Sequence, residues 1–151
     1  CTLVPDSPEQ LTSDHGWNIP PNQSVLQQVL SELRDGGVRS SLFLDPDSEM
    51  VDHAQGVAAD RIELYTEDYA SHYAGPERES VFECYRAAAQ RADQLGIGIN
   101  AGHDLDLQNL AKFLQMPNIL EVSIGHALVV ESLQLGVTEV IARYLAIVGR
   151  D

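Results

Sequence analysis

Two stretches place chemically capable side chains where an apolar run ends. "GIGINAGHDLD" (residues 96–106) stops being apolar at Asn100 and then spends a glycine, His103 and Asp104 before the next helical pattern. "RIELYT" (61–66) carries Glu63 between Ile62 and Leu64, so period-two alternation puts the carboxylate on the face opposite those two apolar residues. A histidine at a strand end can give and take a proton near neutral pH, and a carboxylate can move a proton or stabilise cationic character. The plainer readings are a loop histidine that hydrogen-bonds its own turn, and a Glu63 held in an internal ion pair with Arg61 or another arginine.

"SIGHALV" (123–129) is the most specific local signal. Gly125 follows an apolar strand and opens a helix at His126, so backbone amides can approach a phosphate with the helix dipole behind them. A plain strand-to-helix turn also favours glycine. Gly102 reads as a tight turn or a close backbone approach to a ligand, and Asp104 as the start of the next helix, with its amide offered to an anion. Thr12 lies beyond the first strand. "DPDSE" and "DLDLQ" look like acidic metal loops, but Asp before a helix is more often an N-cap. No metal site is assigned. His15 and His53 are given no role, and "SHY" with His72 reads as a long loop between Thr66 and Pro76, a lid or a solvated connection.

These residues need elements to hold them. "CTLV", "VRSSLFLD", "RIELYT", "IGIN" and "ILEVSI" read as strands, each followed by a helical pattern. The first helix shows Val25, Leu26, Val29, Leu30 and Leu33 at helical spacing. "LDLQNLAKFLQ" reads as a helix, and "HALVVESLQLGVTEVIARYLAIVGR" as two helices divided at Gly136. Cys84 reads as a small apolar filler on its helix. Strict alternation implies parallel strands with right-handed crossovers, satisfied by a doubly wound sheet or a (β/α)8 barrel. No Gly-x-Gly-x-x-Gly follows any strand, and the glycine-initiated helix after the last strand suits the barrel. Five βα units of eight are then present. The strand-like opening without methionine is expected to mark an N-terminally truncated chain, read here as one domain over 1–151.

The 151 residues carry a formal charge of −14, with one lysine, so neither nucleic acid nor an anionic membrane surface is an expected partner. No apolar run is long enough for a membrane span, and no leader pattern is seen. Two cysteines without spacing suit a reducing compartment, and the cytoplasm is the expected location.

Taken together, "CTLVPDSPEQLTSDHGW", "SLFLDPD", "RIELYT", "INAGHDLDLQNL" and "EVSIGHALVVESL" resemble the pyridoxine 5′-phosphate synthase family of the deoxyxylulose-dependent vitamin B6 pathway, from residue 1 to the end. The resemblance implies a TIM barrel condensing 1-deoxy-D-xylulose 5-phosphate with 3-amino-2-oxopropyl phosphate, without metal or organic cofactor, as a homo-oligomer when full length. It implies His103 as proton donor and Glu63 as transition-state stabiliser. Thr12 falls on the threonine that contacts the deoxyxylulose phosphate, and Asp104, Gly125 and His126 on positions binding the amino-oxopropyl phosphate. The family's Asn-x-Asp-His stretch, its proton-accepting histidine and glutamate and its phosphate-binding arginines have no counterpart here, so the 151 residues alone are expected to be inactive. Two alternatives stand beside it: another phosphate-binding barrel enzyme, though not a Schiff-base aldolase because no strand ends in lysine, or a non-catalytic α/β phosphate-binding module.

Overall fold

The computed structural model describes residues 1–149. Five strands form one parallel sheet in the order of the chain: β1 (Thr2–Leu3), β2 (Ser41–Leu44), β3 (Arg61–Tyr65), β4 (Gly98–Gly102) and β5 (Ile119–Ser123). Between them run α1 (Ile19–Asp35), α2 (Ser48–Gly56), α3 (Glu67–His72), α4 (Arg78–Leu95) and α5 (Leu110–Phe113). A hairpin of α6 (His126–Leu135) and α7 (Val137–Ile147) follows β5. Because neighbouring strands are consecutive in sequence, right-handed crossovers place every connection on one face. A doubly wound sheet needs a reversal of strand order; among the described residues there is none.

Alternation along the strands sorts the two faces. Leu42, Leu44, Ile62, Leu64, Ile99 and Ala101 are fully buried in a core with Val51, Ala54, Tyr85, Ala88 and Ala92 from the helices. Each leucine, isoleucine or valine among them contributes about 1.5–3 kcal/mol by leaving water. The opposite, inner face carries in-register layers. Arg61 lies beside Gly98, then Phe43, Glu63, Asn100 and Glu121 line up, then Tyr65, Gly102 and Ser123.

The inner face is concave. Neighbouring strands are about 4.8 Å apart, so in a flat sheet residues two or three strands apart would stand roughly 10–14 Å from each other. Yet the Thr2 hydroxyl of β1 donates to Glu63 of β3. Arg39, entering β2, donates to Glu121 of β5 at 3.1 Å. Arg61 donates to the same Glu121 oxygen at 3.2 Å and to Asn100 at 2.9 Å. Glu63 is therefore not the partner of Arg61; the ion pair foreseen for it falls on Glu121 instead.

Several local expectations change. The segment from Thr66 to Gly75 is not a free loop, because α3 inserts the fully buried Tyr69 against Phe82, Tyr85 and Phe113. In α1, Leu26 and Leu30 face the core with Ile19, whereas Val25 is exposed. Cys84 is exposed on the outer side of α4, and fills no gap. The helix expected from Asp104 begins only at Leu110, because the Asp106 carboxylate accepts the Gln108 and Asn109 amides and closes a turn there. The Asp47 carboxylate caps α2 through the Glu49 amide, so "DPDSE" is an N-cap. Arg150, included in the last helical pattern, lies outside the described residues.

Candidate functional site

At the C-terminal ends of the strands, a cavity of about 590 Å³ opens on the inner face. Thr12, Glu63, His103, Asp104, Gly125 and His126 all line it. They arrive from the β1–α1 loop, β3, the β4–α5 turn and the start of α6, so residues scattered over 115 positions share one wall. Ser13, Tyr65, Glu67, Gly102 and Ser123 complete the lining.

Glu63 projects from the middle of β3. Its Oε2 accepts the Thr2 hydroxyl at 2.7 Å. Its Oε1 leans over Gly102, where a Cβ would come within 3.1 Å of it and within 3.2 Å of the Ser123 Cβ. Gly102 is a strand residue, not the turn that the sequence suggested. Its missing side chain makes room for the carboxylate.

The turn itself is carried by His103 (φ 81°) and Asp104 (φ 57°), two successive non-glycine residues in the left-handed region. Such a conformation is disfavoured for L-residues and persists only where the surroundings enforce it. The His103 ring packs against Phe43 (centroids 5.1 Å) and edge-on to Tyr65 (5.2 Å), and its Nδ1 is buried without a partner. The backbone-turn hydrogen bond of the plain reading is thus not made by this ring. Burial, reinforced by Glu67 and Asp104 nearby, holds the Tyr65 phenol above its ordinary value, so it stays protonated at neutral pH.

Thr12 is exposed on a loop that is pinned at its far end. There the Gly16 amide donates to Asp45, the Trp17 amide to the Phe43 carbonyl, and the Trp17 indole to Leu3. A Cβ on Gly16 would lie 2.3 Å from the Asp45 nitrogen, so the close approach requires glycine. Gly125 is the N-cap of α6 and has open space where a Cβ would stand. Asp104 is exposed, and its carbonyl accepts the Asn109 side-chain amide at 3.1 Å.

The lining contains carboxylates, histidines, hydroxyls and free amides, but no lysine or arginine. Among the described residues no cluster of His, Cys, Asp and Glu is arranged to hold a metal, and no helix is long and apolar enough to cross a membrane. Sequence reasoning passed over Thr2, Tyr65 and Ser123. Period-two alternation already places Tyr65 on the Glu63 face, but only the strand order reveals Thr2 and Ser123.

The family model described as pyridoxal phosphate biosynthesis protein PdxJ matches residues 1–150. The chain is 43 % identical over 150 residues to a pyridoxine 5′-phosphate synthase of Albidiferax ferrireducens, covering 99 % of this chain and 60 % of the relative. It is 47 % identical to those of Flavobacterium johnsoniae and Bacteroides fragilis, covering 95 % of this chain and 61 % and 60 % of those proteins. The chain therefore spans about 60 % of the length of the curated relatives it matches. With a family-model match spanning residues 1–150 and these identities, the chain belongs to the PdxJ family of pyridoxal phosphate biosynthesis proteins.

Proposed function

We propose that this chain forms the larger part of a pyridoxine 5′-phosphate synthase. The enzyme joins 1-deoxy-D-xylulose 5-phosphate to 3-amino-2-oxopropyl phosphate and releases pyridoxine 5′-phosphate, phosphate and water. The observation that carries this reading is the convergence of Thr12, Glu63, His103, Asp104, Gly125 and His126 on one cavity. Its volume falls in the range of small-molecule sites.

In this reading His103 donates a proton to a departing oxygen. Glu63, oriented by Thr2 and kept in place above Gly102, faces the cationic character that develops as the ring closes. The amides at the start of α6, with Gly125 and His126, take the phosphate of the amino-oxopropyl substrate, with Asp104 flanking it. Thr12 meets the deoxyxylulose phosphate. Neutralising two phosphates calls for cations that this lining lacks. We assign them, together with the proton acceptors, to the further length that the relatives possess. No cofactor or metal is invoked.

The same reading makes the single domain of residues 1–151 five units of a (β/α)8 barrel. Consecutive parallel order and a concave inner face support this. The full-length enzyme is then a cytoplasmic homo-oligomer whose partners are phosphorylated small molecules.

The phosphate site is tested by titrating inorganic phosphate into the full-length enzyme and its Gly125→Asp variant. Open space at Gly125 lets the new carboxylate enter without a clash, so charge repulsion is the expected effect. Weakening of about tenfold or more supports the site, and equal affinity in both proteins refutes it.

A further inference from the structure

Thr66 directly follows β3 and stands at the N-cap position of α3, where a threonine hydroxyl ordinarily accepts an amide of its own helix. Here it makes no such cap. The side chain is fully buried and turned toward β4, where Oγ1 donates to the Gly102 carbonyl at 2.6 Å and also lies in hydrogen-bond contact with the His103 carbonyl. The Gly102 oxygen already receives the Thr66 amide at 3.2 Å. The hydroxyl has one hydrogen, shared between the two carbonyls, and since the Gly102 oxygen also has the Thr66 amide, the contact that only the hydroxyl supplies is the one to His103.

Those two carbonyls belong to the peptide planes on either side of the His103 Cα. Peptide units are planar, so fixing both planes fixes φ and ψ of the residue between them and with them the direction of its Cα–Cβ bond. His103 needs that restraint, since it and Asp104 both occupy the left-handed region without being glycine. Its ring finds no substitute anchor: Nδ1 is buried without a hydrogen bond, and Phe43 and Tyr65 offer only packing. Because Tyr65 is the residue before Thr66, the last residue of β3 and the one after it supply the wall for the ring and the clamp for its backbone.

We propose that Thr66 is a positioning residue: its hydroxyl holds the strained Gly102–His103–Asp104 turn so that the His103 imidazole is presented to the cavity. The activity arm of the test rests on the reading of His103 as proton donor; the stability arm does not.

The test uses Thr66→Val, Thr66→Ser and Asp104→Gly in the full-length enzyme. Thr66→Val keeps the shape and removes the hydroxyl. It is expected to lower kcat on the order of tenfold to a hundredfold with KM changed less than about threefold. Thr66→Ser, which restores the donor, recovers most of that loss. Asp104→Gly relieves part of the left-handed strain, so the drop in melting temperature caused by Thr66→Val is expected to shrink in the Asp104→Gly background. Should Thr66→Val not fold, Thr66→Ala removes the hydroxyl without placing a methyl against two carbonyls. A folded hydroxyl-free variant with unchanged kcat, or melting losses that simply add, overturns the proposal. Wild-type turnover by His103→Gln would instead overturn the reading of the site, and the melting arm would still decide the clamp.

Discussion

Thr2 on β1 and Glu63 on β3 are joined by a 2.7 Å hydrogen bond that passes over the strand between them. Two side chains so far apart in the sheet meet only because its inner face curls, and the bond leaves Oε1 as the free edge of the carboxylate. Removing the donor while keeping the shape, in Thr2→Val, is expected to lower kcat about tenfold with little change in melting temperature, since a single part-buried hydrogen bond contributes only about 1 kcal/mol to folding. Thr2→Ser is expected to retain activity. Steady-state kinetics beside thermal melts check both.

Gly102→Ala addresses the same carboxylate from the opposite side. Its Cβ would press on Glu63 Oε1 and on Ser123. The flexible carboxylate yields by a few tenths of an ångström, so the protein is expected to fold and to lose activity through displacement of Glu63. A crystal structure of the variant with Glu63 unmoved would contradict this.

Gly16→Ala is a packing prediction. Here the colliding atoms are backbone, with the Asp45 nitrogen at 2.3 Å and Leu44 backbone carbons at 2.6 Å. Neither can rotate away. We expect a loss of at least about 2 kcal/mol in denaturant unfolding, with release of the Thr12 loop from the cavity rim.

Asp60 supplies a pH signature. Its carboxylate accepts the Ser40 amide at 2.7 Å and the Ser40 hydroxyl at 2.8 Å, which ties the entry of β3 to that of β2. The backbone bond from Ser40 leads in holding its value below the ordinary 3.8, against the opposing effect of burial. A depressed folded value means that the stabilisation is present above about pH 4 and disappears as pH falls through the folded value. The stability gap between wild type and Asp60→Asn is therefore expected to be present at pH 7 and to close in strong acid. It should remain below about 1 kcal/mol, because the group is largely exposed.

Much of this was legible from residue patterns. Ile62 and Leu64 against Glu63, read as alternation, correctly separated core from cavity, and consecutive strand–helix pairs gave the parallel sheet. What escaped depended on neighbours across the sheet. Thr2 is an unremarkable strand residue until strand order sets it near Glu63, and Arg61 looked like the natural partner of Glu63 until Glu121 arrived from β5. Gly102 looked like turn glycine by type, yet the left-handed positions fall on His103 and Asp104, because the glycine is needed to accommodate Glu63. The short α5 was misjudged because Asp106 closes a turn with its own following amides, a competition that apolar spacing does not register.

On the proposed function, His103 gives a proton in a cavity that takes phosphorylated substrates. The most direct measurement is single-turnover formation of pyridoxine 5′-phosphate by the full-length enzyme and its His103→Gln variant, at saturating concentrations of both substrates and with melting temperature as a control. A loss on the order of a hundredfold to ten-thousandfold with folding intact is expected. Product formed by His103→Gln at the wild-type rate would contradict it.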